Sequence, residues 1–137
     1  MKRIVAAAVA VVALAGCGTS SAAPPPSARE LASKIPYTTE ADPSHWAIYP
    51  SSAPPPADYW VSEAHGSGQD VVAVFPTKTA RAAWAQGVAS RYAGIFEPNR
   101  VDGNDGLWTV ITSGAYWNLD DAVSALNGKK VPIGSPE

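Results

Sequence analysis

The segment Asp70–Phe96 reads DVVAVFPTKTARAAWAQGVASRYAGIF, and its hydrophobic period changes partway along. Residues 70–75 form a short, continuous apolar run rich in valine, which suits a strand buried on both faces. After Pro76, Thr77 can cap a helix, and Ala80, Trp84, Val88, Tyr92 and Ile95 then recur at three- and four-residue steps. Gly94 would stop that helix. Gly87 inside it weakens it by about 1 kcal/mol relative to alanine, which implies close contact with another element. The apolar, β-branched run Leu107–Thr112 (LWTVIT) follows as a second central strand. A long helix between two buried strands makes a right-handed βαβ crossover the natural connection.

Outward from this unit, Tyr59–Ala64 (YWVSEA) and Asp70–Phe75 flank His65-Gly66-Ser67-Gly68-Gln69, whose glycines permit a tight reversal, so a β-hairpin is predicted. Residues His45–Tyr49 (HWAIY) add one more strand. Ser27-Ala28-Arg29-Glu30 is a capping box that opens a short helix with Leu31 and Ile35 on one face and Pro36 at its end. On the other side, Asn118-Leu119-Asp120-Asp121 caps a last helix with Leu119, Val123 and Leu126 inward. Gly128 closes it, and Lys129 and Lys130 follow at its negative pole. The expected order is α-β-β-β-α-β-α, an α+β domain with a small mixed sheet of three to four strands and helices packed on one face.

The far N-terminus has a different composition. Lys2 and Arg3 precede Ile4–Ala13, an Ala/Val run too short to span a bilayer, which needs about 20 apolar residues. Leu14-Ala15-Gly16-Cys17 then supplies small residues before the chain's single cysteine. This arrangement is a lipobox and closely resembles the signal of bacterial lipoproteins. The resemblance implies a signal peptide over residues 1–16, removed after the Cys17 thiol is lipidated. Acyl chains of the palmitate type would then anchor Cys17 in the cell membrane on the extracytoplasmic face. An unpaired thiol would be a liability in an oxidising compartment, and lipidation removes that liability. Gly18–Ser27 (GTSSAAPPPS) is small, polar and proline-ended, so residues 17–27 form a lipidated tether of about 30 Å, and 28–137 a single globular domain.

Removal of Lys2 and Arg3 leaves eight basic residues against twelve acidic ones, a mature charge of about −4 that gives no basis for nucleic-acid binding. With Cys17 carrying lipid, no disulfide is available, and five Trp and five Tyr must supply much of the core. Catalytic chemistry finds little footing. His45 and His65 are the only histidines, and His65-Gly66-Ser67 sets a base near a hydroxyl in a reversal with no orienting carboxylate. No catalytic residues, metal site or cofactor are expected. Asp102-Gly103-Asn104-Asp105-Gly106 departs from a calcium loop, since glycine stands at the fifth position and Ser113 at the twelfth, and reads as a turn. The aromatic pairs Tyr59-Trp60 and Tyr116-Trp117 can fill the core or, with one member of each outside, form a binding surface.

Together, the lipobox, the Ala-rich signal, the Ser/Pro tether and the pattern from Phe75-Pro76-Thr77 to Ala80 and Trp84 resemble small surface lipoproteins of high-GC Gram-positive bacteria and their temperate phages. That resemblance implies a non-enzymatic module that binds or blocks an envelope or protein partner, with phage superinfection exclusion as the concrete version. The alternative is a small cell-envelope hydrolase, or an accessory subunit of an envelope enzyme or transporter.

Overall fold

The computed structural model describes residues 24–36, 55–62, 69–114 and 117–137. Its elements are α1 (Ala28–Ala32), β1 (Asp58–Val61), β2 (Asp70–Val74), α2 (Lys78–Arg91), β3 (Asn99–Asp102), β4 (Trp108–Thr112), α3 (Leu119–Leu126) and β5 (Lys129–Pro132). The five strands form one sheet in the order β1-β2-β4-β3-β5, with every neighbouring pair antiparallel. The class is therefore α+β.

The three helices start where local chemistry says they should. The Ser27 hydroxyl accepts from the Glu30 amide while the Glu30 carboxylate accepts from the Ser27 amide, closing the capping box. Thr77 accepts from the Ala80 amide, and the Asn118 side chain accepts from the Asp120 amide. The last helix ends one residue earlier than expected, because Asn127 adopts the left-handed conformation at φ 52°. Gly128 serves a different need: a Cβ there would meet the Val101 side chain at 2.5 Å and the Trp108 ring at 2.9 Å.

Three expectations for the sheet are corrected. It has five strands rather than three or four, because the polar segments of β3 and β5 also pair; it is not mixed; and the helix after β2 does not deliver the chain to a parallel neighbour. Instead, α2 leads to β3, and β4 turns back between β2 and β3, antiparallel to both. The outcome is a split crossover: β2 and β3 run the same way with one strand between them. The chain repeats the device from β4 through α3 to β5, around β3.

Nor do the helices share one face. Side chains from α1 and α3 pack with Trp60, Val72, Val74, Val101, Trp108 and Val110, whereas Trp84 and Val88 of α2 pack with Val61, Val71, Ala73, Phe75 and Ile111. Every residue of β2 and β4 is buried. Strands apolar on both sides need cover on both sides, and three helices divided two against one provide it. The expected burial of Trp84 and Trp108 holds, at 1% and 6% exposure. Ile95, placed on the inward stripe by its spacing, is half exposed, because the helix has already ended at Arg91. The strand expected at 45–49 lies outside the described residues. No helix among the described residues is long and apolar enough to cross a membrane.

Candidate functional site

Of the residues singled out in the sequence, Cys17, His45, His65 and Tyr116 lie outside the described residues. Tyr59 is half-buried against the core beneath α2. Trp60 and Trp117 belong to the core. Both are buried, and their rings stack at 5.3 Å with 12° between planes on the face covered by α1 and α3. Of the two aromatic pairs, the tryptophans are therefore the core members: a five-stranded sheet with two covered faces consumes these rings as core, and an offset stack is worth more to packing than either ring alone.

A different group comes together at the opposite end of the sheet, where α2 begins. Asp102 at the end of β3 accepts from Arg81 of α2 and from Arg100, two residues back on the same strand face. The Arg100 Nε lies 2.9 Å from one Asp102 oxygen, and its Nη2 lies 2.8 Å from the other. Arg100 also donates to the main-chain oxygens of Pro132, Ile133 and Glu137, and Arg81 donates to the Glu137 oxygen at 3.1 Å. All three charged side chains are buried. Burial and the nearby Arg81 charge pull the Arg100 guanidinium down to about 10, and burial also lowers Arg81. Arg81 keeps one buried donor, Nε–H, without a hydrogen-bond partner among the described residues.

Above this network opens a cleft of about 460 Å3, lined by Lys78, Arg81, Asp102, Asn104, Lys129 and Glu137 among others. The β3–β4 turn shapes one wall. Gly106 stands at φ 78°, and a Cβ there would meet the Lys78 stem at 2.7 Å, so the turn glycine also seats Lys78 against the turn. The Asn104 amide donates to the Asn127 carbonyl at 2.6 Å, which ties the turn to the end of α3. The arrangement is a charged recess in which the cations of Lys78, Arg81 and Lys129 lie with the carboxylates of Asp102 and Glu137.

The sequence carries a signal for this network. Arg81, Trp84 and Val88 share the buried helix stripe at three- and four-residue steps, and Arg100 and Asp102 alternate with Val101 as a strand does. Reading the stripe only through its apolar members passes over both.

A second buried polar group sits on the other face. Asp70 accepts from the Thr112 hydroxyl and from Ser62 at 3.4 Å, while the Ser62 hydroxyl accepts from the Asp70 amide at 3.0 Å. Burial pushes the Asp70 carboxyl above its ordinary value, against the lowering effect of these hydrogen bonds. Among the described residues, no group of three or more His, Cys, Asp or Glu side chains is placed to hold a metal ion.

Residues 1–17 match the family described as prokaryotic membrane lipoprotein lipid attachment site. The match supports a membrane-anchored lipoprotein. It ends at Cys17, the residue that the lipobox assigns to lipid, and so leaves the folded domain outside it. Neither the curated proteins nor the solved structures give a match to this lipoprotein.

Proposed function

We propose that this lipoprotein is a non-enzymatic binding or blocking module held by acyl chains on the extracytoplasmic face of the cell membrane. The observation that carries the reading is the lipid attachment site ending at Cys17. A small, polar stretch that ends in Pro24–Pro26 follows it in the sequence, and then the folded α+β domain. Two or more acyl chains hold a protein on a bilayer far longer than one, so an anchor of this kind fixes position durably. A blocker needs position and surface, and superinfection exclusion of phages is the concrete form of that role.

Cys17→Ser removes the lipid acceptor. The variant should accumulate as unprocessed precursor and leave the detergent phase in a partitioning assay; equal partitioning of variant and wild type would sink the anchored reading. For the blocking role, the anchored protein expressed in a sensitive host should reduce phage infection after adsorption, and the Cys17→Ser form should not. Equal plating with and without the protein counts against exclusion, and turnover of envelope polymers or esters by purified protein counts for the hydrolase alternative.

A further inference from the structure

We propose that Asp70 and Thr112 form a proton-operated switch that sets how Trp117, at the entry to α3, is held against the sheet. The Thr112 hydroxyl has one proton to give and two acceptors in reach: an Asp70 carboxylate oxygen, which it meets closely, and the Trp117 carbonyl oxygen at 3.4 Å. The close contact takes the proton and leaves the long one weak. The same hydroxyl oxygen accepts from the Gly114 amide at 2.8 Å, so one of its two lone pairs is still free.

An ionised Asp70 only accepts. Its carboxylate then takes the hydroxyls of Thr112 and Ser62 and the Trp117 amide, so Trp117 is held through its N–H. A protonated Asp70 has an O–H to give, and the free lone pair of Thr112 is placed to receive it. The Thr112 proton then turns to the Trp117 carbonyl, and Trp117 is held through its C=O. One proton gained at Asp70 thus reverses the direction of the relay. Asp70, Thr112, Ser62 and Trp117 are all buried, so the choice is made among protein groups. The Trp117 ring carries the change to the edge strand β1, because it stacks on Trp60 at 5.3 Å. Ser62, Thr112 and the Trp117 amide bring no charge of their own. Among the described residues, the charge acting on Asp70 is that of Glu97, just ahead of β3. Arg29 and Glu30 of α1, Arg91 of α2, and Asp120 and Asp121 of α3 are exposed, Asp58 of β1 pairs at the opposite end of β2, and Glu63 and His65 lie outside the described residues. Burial, with Glu97 adding to it, pushes the Asp70 carboxyl up from the ordinary 3.8, against the lowering by its three donors, and so moves the switching point up the pH scale.

The switch stands whatever the lipoprotein binds. Full-length lipidated protein in neutral detergent micelles is titrated with two signals in view, the carboxyl carbon resonance of Asp70 and the circular-dichroism couplet of the stacked indoles. Both should change together, as a one-proton transition with its midpoint above 3.8. Asp70→Asn, whose amide N–H2 stands in for the protonated acid as a donor, should hold the couplet at its acid form at every pH. In Thr112→Val, Asp70 should still titrate, at a higher midpoint because it has lost a donor, while the couplet no longer follows; Thr112→Ser should restore the link. Glu97→Gln should lower the midpoint of both signals, since it removes a neighbouring negative charge. A couplet that stays constant through the Asp70 titration of the wild type overturns the proposal. So does a couplet that still moves with pH in Asp70→Asn or Thr112→Val, because another group then carries the proton or another path carries its effect.

Discussion

The face of the sheet under α1 and α3 joins aromatic and aliphatic side chains from β1 to β4, with the Trp60–Trp117 stack at one end. Under α2 the burial divides. Beside β2, Trp84 tilts against Phe75 at 5.5 Å in an apolar cluster, but beside β3 the same helix offers Arg81 to a buried carboxylate. Apolar packing gains from each surface removed from water, whatever the partner. A buried ion triad holds only while every charge keeps its counterpart. One helix thus serves as structural cover along its Trp84–Val88 stretch and as the wall of a charged recess at its start, and the two parts should respond differently to substitution.

The largest effect expected is from Asp102→Ala, which leaves Arg81 and Arg100 buried without their shared carboxylate. Removing one partner of a buried pair costs about 3–5 kcal/mol, and here two cations are orphaned, so chemical denaturation should show the protein near or below its folding threshold. A midpoint close to wild type would mean that solvent reaches the triad. Replacing all three charges by apolar residues of similar volume should recover much of that loss, since apolar isosteres of buried ion pairs are often neutral or better.

On the apolar side, Trp117→Ala and Trp84→Ala should each lower stability by about 3–5 kcal/mol, the usual range for truncating a buried tryptophan. Conversion of Trp117 to Phe should cost far less, because a ring remains stacked on Trp60. Equal losses for Ala and Phe at Trp117 would show that indole shape, rather than apolar area, governs that stack.

Gly106→Ala tests the seam between turn and helix. The left-handed backbone and the Lys78 stem both oppose a Cβ, so a loss of about 1–3 kcal/mol is expected from the strained conformation, together with a displaced Lys78. Guanidinium unfolding checks the first and a crystal structure of the variant the second.

The smallest effect is a pH dependence. Asp70 holds its proton more tightly in the folded protein than in the unfolded chain, because burial raises its pKa above the ordinary 3.8. Stability contributed by this group is complete below that ordinary value and falls as pH rises from there through the raised value. Asp70→Asn should flatten this part of the profile and approach wild-type behaviour in acid. A wild-type profile in which the Asp70 contribution grows with pH over the same interval would refute the assignment. Glu97, which adds to the upward shift, belongs in the same series as Glu97→Gln.

How much of this was legible in the sequence follows from the range of each interaction. The capping box at Ser27 and Glu30, the Thr77 and Asn118 caps and the valine run of β2 are decided within about four residues, so their residues announce them. β3 and β5 do not announce themselves. Asn-Arg-Val-Asp and Lys-Lys-Val-Pro each contain one β-branched residue, and they become strands because β4 and each other supply hydrogen-bonding partners distant in sequence. The lysines and Pro132 of β5 suit a sheet edge, where unpaired backbone must be protected from further pairing. The same missing strands turned an expected parallel crossover into a split one.

The sequence by itself determined the lipid attachment motif, the helix starts, the two fully buried strands and the α+β class, all of which depend on local pattern or on a contiguous motif. Only the tertiary structure decided that Trp60 and Trp117 stack inside rather than project outward. Adjacent strand residues alternate faces, and the sequence cannot say that both faces will be covered. It also decided the antiparallel order and the meeting of Arg81 with Arg100 and Asp102. These three residues lie on a helix and on a later strand, and no local preference connects them. Their union depends on α2 crossing the sheet to β3, a placement fixed by burying Trp84 and Val88 against Val61 of β1, Val71 and Ala73 of β2 and Ile111 of β4.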